Sequence, residues 1–314
     1  MPRIAIPLPH SSDREYAERA IPQYEQAVTQ AGGDPIRIPL DQTETEVKKL
    51  IATCDAVLLP GSKADVDPAK FHASRSPQTA AADVPRQNVD ELLLADAYRF
   101  RKPILGICYG LQSLNVFRAG SLIQHIPDFL PETAREKVDH AVGKKLAIAH
   151  HVKIETNSKL AEILQKDSSP ANVVTATTAN VARATTAHAA TAAPAVQRSE
   201  ASANSSRLPP ARAVPPPPDA TGANSLILPV NSSHHQSADT IGQGLRIAAR
   251  CPADGIIEAL EGTSPDHFVL AVQWHPERSI DEDESSRSIF DALIEAARTR
   301  HSHPQLTNTP ERVK

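Results

Sequence analysis

The chain has 314 residues, 40% of them hydrophobic and 22% charged, with a formal net charge of −4. That length supplies ample core, and the slight acidity argues against binding a phosphate backbone, so no nucleic-acid partner is expected. No apolar run approaches the roughly 20 residues that a membrane span needs, so no membrane partner is expected either. Met1-Pro2-Arg3-Ile4 leads into a strand-like segment rather than a signal peptide. Cys54, Cys108 and Cys251 stand at no disulfide or metal-ligand spacing, which makes a reducing cytoplasm the simplest setting.

Arg3 to Leu8 reads as a first strand, and Glu15 to Gln30 carries apolar residues at helical spacing until Gly32-Gly33 stops it. A second strand is expected at Pro35 to Leu40, a second helix at Thr43 to Thr53 and a third strand at Ala56 to Leu59. That strand ends in a polar, turn-rich loop, Pro60 to Pro68. A helix is predicted over Asn88 to Phe100, then a strand at Ile104, a tight corner, and a helix from Leu111 to Phe117. Alternating strands and helices imply an α/β chain with a doubly wound, mostly parallel sheet covered on both faces. Active sites in such sheets lie at the carboxyl ends of strands, where both the Pro60 loop and Cys108 fall.

Further on the pattern turns antiparallel in flavour over Lys145 to Ile154, with a short helix at Ser158 to Leu164. From about Lys166 to Ser225 the chain is Ala, Thr, Ser and Pro, including Pro215-Pro216-Pro217-Pro218, with no aromatic residue. Such a segment buries too little surface to offset its ordering entropy and reads as a disordered insertion. Order resumes over Leu226 to Gln236, strands are expected at Leu245 to Arg250, Ile256 to Leu260 and Phe268 to Trp274, and Ser286 to Arg298 forms a closing amphipathic helix. The expected division is one domain over residues 1–298, interrupted by the 166–225 insertion, with a disordered polar tail at 299–314.

Gly106-Ile107-Cys108-Tyr109-Gly110 places a cysteine at a strand-to-helix corner with glycines on both sides. This is the thiol form of a nucleophile elbow. The glycines allow strained backbone and close approach of a substrate, and the helix start favours thiolate. A lone Cys-x-Gly is also compatible with a core cysteine beside a packing glycine. A thiol hydrolase further needs a base, a group to orient it and donors for the oxyanion. His275 and Glu277 follow a buried-looking strand, and in extended chain residues two apart face one side, so Glu277 can orient His275. A surface histidine near an acid is the commoner meaning of His-x-Glu alone.

Taken together, Gly106 to Gln112 and Gln273-Trp274-His275-Pro276-Glu277 resemble the class I glutamine amidotransferase superfamily. Leu59-Pro60-Gly61-Ser62 with Asp65 and Pro68, Arg86 ahead of Glu91, Asn231 to Gln236 and Asp254 to Glu258 resemble its γ-glutamyl-γ-aminobutyrate hydrolase branch, the peptidase C26 family. The likeness covers residues 1 to about 165 and about 226 to 298. It implies a flavodoxin-like sheet with Cys108, His275 and Glu277 as a catalytic triad acting through a glutamyl thioester. It also implies backbone oxyanion donors at Gly61, Ser62 and Tyr109. For the substrate glutamyl group it implies contacts from Gln112, Ser232, Ser233 and His234, although His234 and His235 are equally suited to structural hydrogen bonding.

Two departures stand out: Ser62 where the oxyanion loop commonly has glycine, and Tyr109 where this branch often has arginine, a change that removes a cation from the amine side of the pocket. No cofactor is expected. No metal is expected either, because His150-His151 and His234-His235 lack a third ligand along the chain. The resulting expectation is a stand-alone cysteine hydrolase of small γ-glutamyl amides. The alternatives are a glutaminase subunit that passes ammonia to a separate synthetase chain, and a non-catalytic scaffold on the same fold. Homodimerisation is left open.

Overall fold

The three central parallel strands, Ala56–Leu59, Ile104–Ile107 and Val269–Val272, are apolar and buried throughout, and several helices start on residues whose side chains cap them. A computed structural model describes residues 1–135, 138–142, 148–166 and 226–302. All of these belong to the unit formed by residues 1–175 and 224–314; a second unit, Ala176–Ala223, lies outside the described residues. The predicted insertion therefore also lies outside them, apart from Lys166.

In chain order the elements are β1 (Arg3–Pro7), α1 (Arg14–Gln30), β2 (Asp34–Ile38), α2 (Glu44–Ala52), β3 (Ala56–Leu59), α3 (Val84–Phe100), β4 (Ile104–Ile107) and α4 (Tyr109–Phe117). They continue with β5 (Leu122–Ile123), α5 (Ile126–Phe129), α6 (Glu132–Arg135), β6 (His150–Ile154), α7 (Lys159–Lys166), β7 (Leu226–Val230), β8 (Ser237–Ala238), β9 (Leu245–Arg250), β10 (Ile257–Gly262), β11 (Val269–Val272) and α8 (Glu284–Ser302).

Among the described residues, nine strands form one sheet in the order β2-β1-β3-β4-β11-β10-β9-β6-β7. The first five run parallel, and β10, β9, β6 and β7 continue the sheet antiparallel. Side chains alternate between its two faces. Ile4, Ile6, Leu58, Leu105, Leu270 and Val272 pack with α1, α7 and α8, whereas Ala5, Val57, Leu59, Ile104 and Ala271 pack with α2, α3 and α4. Burial of each large side chain of α8 in this layer, such as Ile289, Phe290 and Leu293, contributes about 1.5–3 kcal/mol. The expected doubly wound α/β sheet is thus observed, with an antiparallel extension.

Local signals account for the ends. Thr43 caps α2 through a reciprocal capping box with Glu46. Gly32 takes φ of +85° just beyond α1, where only glycine is unstrained. The helix expected to begin at Asn88 begins at Val84 instead: Asp83 accepts a hydrogen bond from the Arg86 N–H, and Pro85 occupies the first turn, where no N–H is needed. The closing helix runs through Ser302, so the segment expected to fray from Thr299 is helical for four residues; 303–314 lie outside the described residues.

Candidate active site

β3, β4 and β11 are adjacent and parallel, so the loops leaving their carboxyl ends emerge side by side. One loop carries Gly61, the next Cys108 and the third His275. Cys108 sits between β4 and α4 with φ of 53° and ψ of −104°, and its N–H donates to Val272 O at 2.8 Å. The strained conformation falls on the cysteine itself, not on the flanking glycines expected to absorb it. Those glycines serve close approach. A Cβ on Gly110 would lie 2.2 Å from Leu59 O, and one on Gly106 would lie 2.9 Å from the Gly110 backbone. They let α4 press against β3 and β4 and so raise the thiol above the sheet edge.

His275 Nδ1 lies 2.7 Å from Glu277 Oε1. The expected extended alternation does not produce this contact. Instead Pro276–Arg278 forms a 3-10 turn that folds Glu277 back beneath the imidazole. The chain around His275 is held by Asn231, whose side-chain oxygen accepts the His275 N–H and whose amide donates to His275 O, both at 2.9 Å. Burial opposes the Glu277 charge, but His275 and Arg278 outweigh it and hold the carboxyl below its ordinary range. With Nδ1 tied to Glu277, the other imidazole nitrogen is directed away from the carboxylate.

Gly61 marks where the three loops meet. A Cβ there would sit 3.1 Å from His275 Cε1, 3.1 Å from the Tyr24 hydroxyl and 3.7 Å from Cys108 Cβ. The Gly61 N–H, expected to be a free oxyanion donor, instead donates to the Tyr24 hydroxyl of α1 at 3.0 Å. Ser62 uses its hydroxyl to accept from Ala64 N–H at 3.1 Å and does not take a positive φ, so its backbone does not require the glycine common there.

Beneath this loop Arg86 is fully buried. It donates to Asp90 at 2.7 Å, to Pro60 O at 2.7 Å and to Pro9 O at 3.2 Å, and its guanidinium stacks 4.9 Å from the Tyr109 ring centre. Arg86→Met should cost about 3–5 kcal/mol in urea unfolding, because Asp90 is then buried without its partner. Adding Asp90→Leu should recover most of that stability. It should not recover activity, since Pro60 O has lost its anchor. Full activity in the double variant would show that Arg86 does not position the loop.

Burial pushes the Cys108 thiol up to about 12, against smaller opposing effects from Arg278, the Tyr109 N–H and Gln273. This departs from the thiolate expected at a helix start: desolvation outweighs the dipole. Gln273 Nε2 has no acceptor in hydrogen-bond geometry, yet lies close enough to the sulfur to favour its ionised form. Gln112 donates to Gln236 O at 3.2 Å and to Gln273 Oε1 at 3.4 Å, so it supports the same wall. Ser232 Oγ is buried with no hydrogen-bond partner, while Ser233 is half-buried. Tyr16, with its hydroxyl pushed up to about 12 mainly by burial and then by the nearby Cys108, packs beneath Lys63 Nζ at 4.9 Å.

His234, named in sequence as a substrate contact, turns inward: Nδ1 lies 2.8 Å from Gln236 O, and Nε2 points toward buried Glu258. Its neighbour His235 lies 3.1 Å from Asp65. Tyr24, Asn231, Gln273 and Arg278 were missed as site residues. Gln273 and Asn231 lie inside motifs that the sequence displays, and Arg278 directly follows Glu277. Tyr24 offered no signal beyond an apolar helix position.

The sequence model of the peptidase C26 family matches residues 5–196 and 197–277. The chain belongs to the peptidase C26 family. A glutamine amidotransferase-like protein of Rickettsia prowazekii is 29% identical to it over 275 residues, which cover 88% of each chain. The γ-glutamyl-γ-aminobutyrate hydrolase PuuD of Escherichia coli is 27% identical over 278 residues, 87% of this chain and 84% of PuuD. Among solved structures, a Thermoplasma acidophilum protein assigned as a GMP synthase subunit superposes with a TM-score of 0.52 at 12% identity, covering 97% of this chain and 98% of that one. That likeness speaks for the fold, which is glutamine amidotransferase-like; the family makes this C26 chain an amidotransferase-like hydrolase. No helix among the described residues is long and apolar enough to cross a membrane.

Proposed function

We propose that this C26 protein hydrolyses the side-chain amide of small γ-glutamyl compounds through a thioester on Cys108. The reading is carried by the convergence of His275 and Cys108 on Gly61, with His275 held by Glu277 at 2.7 Å. Because the resting sulfur is a buried thiol, attack on the carbonyl carbon is coupled to transfer of its proton to His275. The carbonyl oxygen becomes an oxyanion facing the backbone N–H groups of Ser62 and Tyr109; Gly61 is already bonded to Tyr24. The C–N bond then breaks, His275 protonates the departing amine, and a glutamyl thioester remains. Water attacks that thioester, gives its proton to His275, and releases glutamate as the thiol reforms. Glu277 stabilises the imidazolium in both halves.

Arg278 supplies a cation near the thiol, and Lys63, just beyond the Gly61-Ser62 loop, supplies another over the Tyr16 ring, in place of the one that Tyr109 does not provide. Lys63 pairs with Asp13 at 2.7 Å at a partly exposed position, so it is free to exchange that partner for a substrate carboxylate. This favours substrates with an anionic amine half, as in γ-glutamyl-γ-aminobutyrate.

The test is glutamate release from a panel headed by glutamine and γ-glutamyl-γ-aminobutyrate, using the purified chain alone. Release from the bulkier amides is expected. Silence on every amide, with Cys108 still alkylated by a glutamine-mimicking electrophile, would replace this reading with a glutaminase that needs a synthetase. Glu277→Gln should lower kcat about a thousandfold with little change in KM, because only the imidazolium loses its partner. An unchanged kcat would remove Glu277 from the mechanism.

A further inference from the structure

Behind the wall formed by Gln112 and Gln273, three histidines and a glutamate from four separate chain segments point at one another. His140 lies in the 138–142 segment, His150 opens β6, His234 follows β7 and Glu258 lies in β10. All four are more than nine-tenths buried. His140 Nδ1, His150 Nε2 and His234 Nε2 stand 3.0, 3.3 and 3.6 Å from Glu258 Oε1. None of these nitrogens, and neither oxygen of Glu258, makes a hydrogen bond of good geometry, although the His140–Glu258 pair at 3.0 Å lies within reach of one.

The outward nitrogens explain why. His140 Nε2 faces Asp254 Oδ2 at 2.8 Å, His150 Nδ1 faces His151 O at 3.1 Å and His234 Nδ1 faces Gln236 O at 2.8 Å. Carbonyl and carboxylate oxygens only accept, so each outward nitrogen carries the ring proton and each inward nitrogen of a neutral imidazole presents a lone pair. With all three imidazoles neutral, three lone pairs and a carboxylate then converge with no donor among them.

We propose that His140, His150, His234 and Glu258 bind a divalent transition-metal ion, with zinc best matched to the donors. Four ligands about 2.0–2.1 Å from a tetrahedral zinc are about 3.3 Å apart; the three distances to Glu258 bracket that value, and all four ligand atoms lie within 4.8 Å of one another. The outer hydrogen bonds are those that orient metal-bound imidazoles, including a carboxylate–histidine pair at Asp254. A divalent cation, Glu258 and Asp254 together sum to zero charge. Four protein ligands close the coordination shell, so the ion is structural. Gln236 O links it to Gln112, and the Gln273 N–H donates to Glu258 O at 2.8 Å. The ion therefore braces the wall facing Cys108, and it gives the Asn231–Gln236 and Asp254–Glu258 motifs a shared purpose. The third ligand missing along the chain is brought in by folding.

The competing occupant is a proton. Burial lowers His140, but Asp254 and Glu258 outweigh it and leave the imidazole raised to about 9. Metal analysis separates the two. Untagged Cys108→Ser chain, purified without chelator, should hold about one equivalent of metal. After stripping, titration with Zn2+ should raise the Tm, and Co2+ should give the visible bands of a tetrahedral site. X-ray absorption of the zinc form should show a nitrogen and oxygen shell with imidazole scattering and no sulfur, a result that needs no further variant. His140→Ala with Glu258→Gln should weaken Zn2+ binding at least a hundredfold. No retained metal and no response to Zn2+, sulfur in the shell, or undiminished binding by that double variant would overturn the proposal.

Discussion

Cys108→Ala is expected to lower kcat on the order of a million-fold, leaving only what binding and oxyanion donors supply, while the urea unfolding midpoint stays within a small shift of the parent. Alanine keeps the Cβ, so the strained backbone at φ of 53° is neither relieved nor worsened. The pH behaviour makes the argument sharper. A thiol pushed up to about 12 is ionised in only about one molecule in a hundred thousand at pH 7, so reactivity there depends on proton transfer to His275. The sign follows: raising the pKa disfavours thiolate at every pH below it. In a His275→Ala variant, alkylation of Cys108 by iodoacetamide should therefore climb about tenfold per pH unit through pH 10. In the parent it should level off earlier, where His275 accepts the proton. Turnover by Cys108→Ala, or identical alkylation profiles with and without His275, would defeat the mechanism.

The second large effect is structural. Gly110→Ala places a methyl group 2.2 Å from Leu59 O and 2.8 Å from Leu59 Cβ, and neither belongs to a side-chain tip that can swing away. Helix α4 must lift from β3. The expected cost is about 3 kcal/mol or more in urea unfolding, or failure to accumulate as folded protein. Because α4 begins at Tyr109, whatever folds carries Cys108 displaced from His275, and a shift of about 1 Å there costs about a hundredfold in rate. Gly106→Ala, with contacts of 2.9–3.1 Å, should be milder. Parent-like stability and activity in Gly110→Ala would mean that helix and strand are not in contact at this point.

Most of this fold was legible because its central parallel strands are short apolar runs between good helix stops. Ala56–Leu59 and Leu245–Arg250 were read to the residue. The start of α3 was not, because Asp83-Val84-Pro85 signals by capping chemistry rather than by apolar period. In the site, Cys108, His275 and Glu277 were visible as local motifs. What sequence could not display was their support: Tyr24 reaches Gly61 across 37 positions, Arg86 reaches Pro60 across 26, and Asn231 reaches His275 across 44. Nor could spacing weigh the helix dipole at Cys108 against its burial. The histidine cluster was hidden for the same reason, since its members come together only when β6, β10, the turn after β7 and the 138–142 segment are folded against one another.

The conformation of Cys108 sets two selective pressures against each other at one residue. Glycine alone would relax there, and glycine would also remove the Cβ and sulfur on which the proposed chemistry depends. An inactivated descendant that acquired Cys108→Gly would gain stability, whereas a working lineage must keep offsetting the strain through the packing of Gly106, Gly110 and Leu59. Loss of function at this corner is thus downhill for the fold.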